Sequence, residues 1–394
     1  MSLLRPHKTR VMVYLSVFFL STAVALTSYV NSSYLSTFFS DEYLGLIYSF
    51  AAIVTVFLTL ITPRILKSIG FKLSAVIYAS FSVLGFVLMI TGKFILPLVL
   101  LGFVIYYCLT QGSRYITDLY LENLSTDNET GSIRGVFMTM VNLAWLISPF
   151  LTGLILGVDE RYFLLYFIAA WMMIPFIFIF GKKLPDQNSK KISIDTIGIW
   201  IKTLFKHSTK NKNITKIIFI DLLLNIFYTL MVIYIPLHLH NSLGFSWQEL
   251  GFIFTIMLAP FILLTYPLGQ IADRFLGEKE LLIGGFLICG LATLLVGTST
   301  STSIFFWAFI LFMTRVGAAT IEIMKETYLF KIIDGQDGPI LSLSRTMFPL
   351  AYIVGPILGS IILLFGDYQT IFLVAGLGLL ILGTFNSLRL VDTK

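Results

Sequence analysis

Arg315, Glu322 and Glu326 stand at spacings of seven and four residues inside an otherwise apolar run, in register with Trp307, Leu311 and Ala318. At 3.6 residues per turn these positions share one helical face. A guanidinium there can anchor a carboxylate or phosphate, or be one member of a permanent ion pair that ties helices together. A carboxyl such as Glu322 can exchange protons if its surroundings alternate, because desolvation disfavours the charged form and a nearby cation favours it.

Two more stripes have the same character. Tyr107, Gln111, Arg114 and Asp118 recur at spacings of four, three and four. Asp118 is a second candidate for proton exchange, or else half of an i,i+4 bridge with Arg114. Asp221, Asn225 and Tyr228 share a face, with a shallow pair between Asp221 and Lys216 as the alternative to a functional acid. Tyr14, Ser21 and Ser28 form a weaker stripe of the kind that serves helix packing. Asn142 and Arg345 complete the polar candidates. His238 and His240 are half a metal site, but His7 and His207, the other histidines, are predicted on the opposite side, so no metal is expected. No phosphate-binding loop, HExxH or nucleophile elbow is present, and neither enzymatic activity nor a cofactor is expected.

The elements that hold these residues must lie in lipid. The chain of 394 residues is 57% hydrophobic and 12% charged, about half the ~25% charged fraction of soluble domains. Apolar runs long enough to cross about 30 Å of hydrocarbon recur throughout. Twelve spans are predicted at 11–31, 43–63, 72–92, 95–119, 133–157, 162–181, 214–238, 247–270, 280–299, 303–330, 339–365 and 369–390. Backbone groups in lipid must be satisfied within each segment, so the spans are helices and the class is an all-α membrane protein. Arg315 then lies roughly 18 Å from one end of its helix, near the midplane. An unpaired cation there is costly by ~3 kcal/mol on insertion scales, and intramembrane charges are functional candidates by default.

The net charge of +6 tracks topology and not a nucleic acid. Lys93 and Arg161 alone fall in the gaps assigned outside; Arg5, Lys8, Arg10, Arg64, Lys67, Lys72, the lysines of 182–216, Arg274, Lys279, Arg389 and Lys394 all fall on the opposite side. That places both termini in the cytoplasm. Cys108 and Cys289 lie within spans and read as packing residues. The basic start "MSLLRPHKTR" resembles a signal peptide, but the apolar run after it is too long for one, and it is expected to remain as the first span.

The chain also repeats itself. "FFSDEYLGLIYSF" (38–50) aligns with "GFSWQELGFIFTI" (244–256), placing Gly45 on Gly251, and "ISPFLTGLIL" aligns with "VGPILGSIIL", placing Pro149 on Pro356, at offsets of 206 and 207 residues. Six spans were duplicated, giving halves at 1–181 and 214–394. The lysine-rich linker between them, 182–213, carries a predicted interfacial helix with Ile197, Trp200, Ile201, Leu204 and Phe205 on one face. A duplicated six-span unit is the plan of a transporter whose substrate site lies at the midplane between its halves.

"GQIADRFLGEK" (269–279) fits Gly-x-x-x-Asp-Arg-x-x-Gly-x-Lys and resembles the signature loop of the major facilitator superfamily. Its first-half copy, "PRILKSIGFK", keeps Arg64, Gly70 and Lys72 but has Lys67 in place of the acid. Ala351, Gly355, Pro356 and Gly359 resemble part of a pattern that the family associates with antiport. The resemblance implies twelve helices in two pseudo-symmetric six-helix halves, with spans 1, 4, 7 and 10 lining a central cavity. It also implies a secondary transporter of a small solute in the cytoplasmic membrane, working with protons or another ion as a monomer. Proton-coupled export is the first expectation; uptake of a polar or anionic nutrient, or a non-transporting receptor, are the alternatives. Gly269, Asp273, Arg274, Gly277, Lys279 and Glu326 are implied to form a cytoplasmic gate. There Asp273 would cap the start of span 5 near Gly131 and Arg274 would meet Glu326, while Lys67 leaves the first-half loop a weak latch.

Overall fold

The computed structural model describes residues 4–92, 95–124, 130–187, 212–274, 276–333 and 338–392, and every regular element among them is helical. In chain order these are α1 (Leu4–Ser28), α2 (Asn31–Ser36), α3 (Asp41–Thr91), α4 (Leu96–Glu122), α5 (Thr130–Leu156) and α6 (Tyr162–Phe178). There follow α7 (Lys212–Leu237), α8 (Trp247–Leu258), α9 (Pro260–Leu263), α10 (Thr265–Arg274), α11 (Glu278–Thr298), α12 (Ile304–Ile332), α13 (Gly338–Leu363), α14 (Tyr368–Gly378) and α15 (Thr384–Leu388). Wide π-type turns extend α6 to Lys183 and α7 to Ser242, and another joins α14 to α15.

Ten of the described helical stretches are long and apolar enough to cross a membrane. They account for eleven of the expected twelve spans, because α3 holds two, the first running through Pro63 and the second starting beyond Gly70, whose backbone is non-helical. Gly70 has φ of 80°, the left-handed region that glycine enters without steric cost. The eighth span is not one helix but three, α8 to α10. Pro260 and Pro267 each lack an amide donor and crowd the carbonyl four residues earlier, and the helix breaks beside both. The first span ends at Ser28, short of the expected residue 31, and α2 follows as a separate turn. The predicted interfacial helix, 197–205, lies outside the described residues.

The chain divides into two compact units, one of Met1–Tyr34 with Phe50–Ile194 and one of Leu35–Ser49 with Asp195–Lys394. In the first, α1 packs on α5 and α6. The buried amide of Asn31 is satisfied by aromatic neighbours: Tyr166 donates to Asn31 Oδ1 at 2.9 Å, and Asn31 Nδ2 donates to the Tyr106 hydroxyl. Thr152 donates to the Leu26 carbonyl at 2.8 Å, joining α5 to α1. In the second unit, small residues let backbones approach. A Cβ added to Gly317 of α12 would lie 2.5 Å from the Cys289 amide nitrogen and 2.6 Å from the Gly285 carbonyl oxygen of α11. Residues 35–49 belong to this second unit, where Ser49 donates to the Ile353 carbonyl at 2.7 Å.

The duplication is visible in contacts made separately in each unit. Tyr120 of α4 donates to the Pro185 carbonyl at 2.7 Å, and Tyr328 of α12 donates to the Val391 carbonyl at 2.9 Å. Next to each carbonyl stands an aspartate against a glycine. A Cβ on Gly70 would lie 3.0 Å from Asp186 Oδ2, and one on Gly277 would lie 3.3 Å from Asp392 Oδ1. These pairs match at offsets of 206 to 208 residues, as the sequence repeat requires. The same motif thus recurs once in each unit.

Candidate functional site

Helix α12 positions most of the site. Ser303 caps it by accepting from the Phe306 amide, and Gly317, Ala318 and Ala319 seat its middle on neighbours without bulk. Arg315 is 2% exposed. Its guanidinium carbon lies 5.3 Å from the ring centre of Phe227 and 5.4 Å from that of Tyr228, both on α7, a geometry in which the rings attract the cation. Nε and Nη1 are buried without a hydrogen-bond partner, and among the described residues no carboxylate lies within ion-pair distance of Arg315. The permanent-pair alternative for Arg315 is therefore not what these residues form.

Tyr228 makes the second contact of its own. Its hydroxyl donates to Glu322 Oε2 at 2.6 Å, so one side chain touches both the buried cation and the half-buried acid. A turn further along, Lys325 of α12 forms an ion pair with Asp221 of α7. Asp221 also accepts from Asn225 Nδ2 at 2.8 Å and from Ser344 Oγ of α13 at 2.7 Å. With three donors on one carboxylate, a group 4% exposed is hydrogen-bonded on both oxygens. The alternative of a shallow Asp221 pair with Lys216 is replaced by this one: Lys216 instead reaches Asn213 Oδ1 at 3.3 Å and the Arg389 carbonyl. Facing stripes on α7 and α12 thus form a ladder of Arg315, Tyr228 with Glu322, and Asp221 with Lys325.

On α4 the predicted stripe is a half-exposed face: Tyr107, Gln111, Arg114 and Asp118 are all partly accessible, whereas Tyr106, Thr110, Ser113 and Thr117 are buried. Asp118 meets Arg134 of α5 at 3.4 Å, a partner the i,i+4 expectation with Arg114 did not include. That pair is about one-third exposed on both sides and is worth little by itself. Asn142 is half-buried on α5.

Trp307 belongs to the packed core and not to the ladder. It is fully buried, donates through Nε1 to the Ser301 carbonyl at 2.7 Å, and meets the His238 ring edge-on at 5.8 Å. His240 stacks on Trp247, with Nδ1 2.7 Å from the Phe245 carbonyl oxygen. Among the described residues no three His, Cys, Asp or Glu side chains gather as a metal site.

Of the predicted gate, Gly277 stands before α11, Lys279 is half-buried, Glu326 is exposed, and Gly269 faces open space. The side chains of Asp273, Arg274 and Arg345 lie outside the described residues, and with them the expected contacts to span 5 and Glu326. The gate region does contain a pair that the sequence did not suggest: Glu278, fully buried, meets Lys331 at the end of α12. Lys325, Ser344 and Arg134 were missed as well. Lys325 had a usable signal, a lysine three residues from Glu322 in an apolar helix.

Residues 217–394 match the model of the Major Facilitator Superfamily. Over the whole chain the fold is similar to that of the nucleoside transporter NupG, in two crystal structures, one of a point mutant. The TM-scores are 0.77 and 0.79 at 14% and 15% identity, covering 97% of this chain and 99% of NupG. Residues 217–394 thus carry the sequence pattern of that superfamily, and the whole chain shares its fold. The human organic anion transporter MFSD10 (TETRAN) shares the fold at a TM-score of 0.65 and 14% identity, with the same coverage. No curated protein sequence matches the chain. That fold is a multi-pass membrane fold of two six-helix halves, and the polar ladder on α7 and α12 is a feature of the second half.

Proposed function

We propose that the protein is a proton-coupled secondary transporter of a small anionic or polar solute, working by alternating access in the cytoplasmic membrane. The observation that supports this best is Tyr228, whose ring lies against the unpaired Arg315 guanidinium while its hydroxyl holds Glu322. An anion drawn to the free Nε and Nη1 groups of Arg315 must share that guanidinium with the ring. If the ring moves, Glu322 loses the hydrogen bond from Tyr228 and its freed carboxylate oxygen is open to a proton. Solute and proton then load together, which is the sense of symport. Glu322 is the proton carrier in this scheme, Arg315 the anchor, and the Asp221–Lys325 pair the fixed base of the ladder.

Proton-coupled antiport in the export direction is the second reading. It is supported by Ala351, Gly355, Pro356 and Gly359 of α13, the partial antiport pattern. Purified protein in liposomes, offered nucleosides and organic anions under imposed proton gradients, tests both. Uptake driven by an inward proton gradient supports symport; uptake driven by an outward one supports exchange. No flux of any solute under either gradient would favour the receptor alternative.

A further inference from the structure

A cavity of about 410 Å³ opens at one end of the second unit, lined by Lys212, Thr215, Lys216 and Phe219 of α7 and by Asn386 and Arg389 at the end of α15. Of the six described lining residues three are cationic and none is acidic. Among the described residues, Arg389, Lys212 and Lys279 stand near enough to Lys216 to repel its charge. Like charges drawn together on a folded surface repel unless an anion sits among them. The cations are held in place: Arg389 stacks on Phe385 with its guanidinium carbon 3.8 Å from the ring centre, and Lys216 is tied to Asn213 and to the Arg389 carbonyl.

The position of the cavity says which anion. Lys212 is the first described residue of one membrane-crossing helix, and Arg389 directly follows the last residue of another, Leu388. Such span ends lie at the depth of lipid headgroups. Beside the cations, Phe219, Phe385 and Leu388 are exposed apolar side chains, suited to acyl chains and not to water. Thr215 and Asn386 add neutral donors for phosphoryl oxygens. Basic pockets between membrane helices recognise anionic headgroups in this way.

We propose that this cavity binds the phosphate headgroup of an anionic phospholipid. The site is separate from the ladder of α7 and α12 and does not depend on the transported solute.

The test titrates detergent-solubilised full-length protein with dioleoyl phosphatidylglycerol, dioleoyl phosphatidylcholine or inorganic phosphate and counts bound lipid by native mass spectrometry. Phosphatidylglycerol should bind in preference to phosphatidylcholine. Replacing Lys212, Lys216 and Arg389 by Gln should weaken it roughly fivefold per charge, on the order of 100-fold for the triple variant. Lys212→Arg with Lys216→Arg should retain binding, which separates loss of the site from loss of the fold. Removing the exposed Lys8, Arg64 and Lys67 of the other unit takes away the same charge and should change binding little. Lipid binding that survives the triple substitution, or falls equally in the Lys8, Arg64 and Lys67 variant, overturns the proposal. Displacement of the lipid by inorganic phosphate at equal concentration also overturns it, in favour of a site for a free anion.

Discussion

Lys325→Met removes the cation from an ion pair whose side chains are only 11% and 6% exposed, so solvent screens little of the loss. Two unit charges near 4 Å at an effective dielectric constant of 20 attract by about 4 kcal/mol, and removing one partner of a buried pair costs about 3–5 kcal/mol. Asp221 keeps two donors, Asn225 and Ser344, which places the expected cost at the lower end, about 3 kcal/mol. Asp221→Asn strands Lys325 and should cost a similar amount. The double variant leaves no buried charge of this pair behind, and once one substitution is made the second should cost close to nothing. The coupling in the cycle is then about 3 kcal/mol. Unfolding in mixed micelles at increasing denaturing detergent, followed by tryptophan fluorescence, measures all four proteins. Strictly additive costs would show that Asp221 and Lys325 do not hold each other, and the ladder would lose its fixed base.

Tyr228→Phe keeps the ring against Arg315 but removes the donor to Glu322, so solute flux driven by a proton gradient should fall while the folded protein persists; undiminished flux separates Tyr228 from the acid. Arg315→Lys keeps the charge but not the planar, two-sided donor set, and KM for an anionic solute should rise about tenfold or more, with Arg315→Gln more severe. Gly317→Val places side-chain atoms against backbone of α11 and should cost several kcal/mol, seen as loss of monodisperse protein, whereas Gly284→Ala, with open space around it, should be tolerated.

Fold and site were legible to different depths. Long apolar runs and the offset near 207 residues are properties of the chain itself, and they carried the twelve spans and the two halves. The breaks in the eighth span were written in Pro260 and Pro267, but a hydropathy window averages over them. Within the site, Asp221 with Asn225 and Arg315 with Glu322 share faces of single helices, so spacing revealed them. Lys325 and Ser344 act across helices, and Ser344 carries no intrinsic mark. Trp307 shows the converse failure: it shares the Arg315 face by spacing, yet its indole is consumed by the Ser301 carbonyl and the His238 ring.

Glu322→Gln in proteoliposomes is the most direct test of coupling. The carboxamide still accepts from Tyr228 but cannot exchange a proton. The prediction is that flux driven by a proton gradient is lost while solute exchange at equal pH on both sides continues. Undiminished gradient-driven flux in the Gln variant would contradict the assignment of Glu322 as the proton carrier.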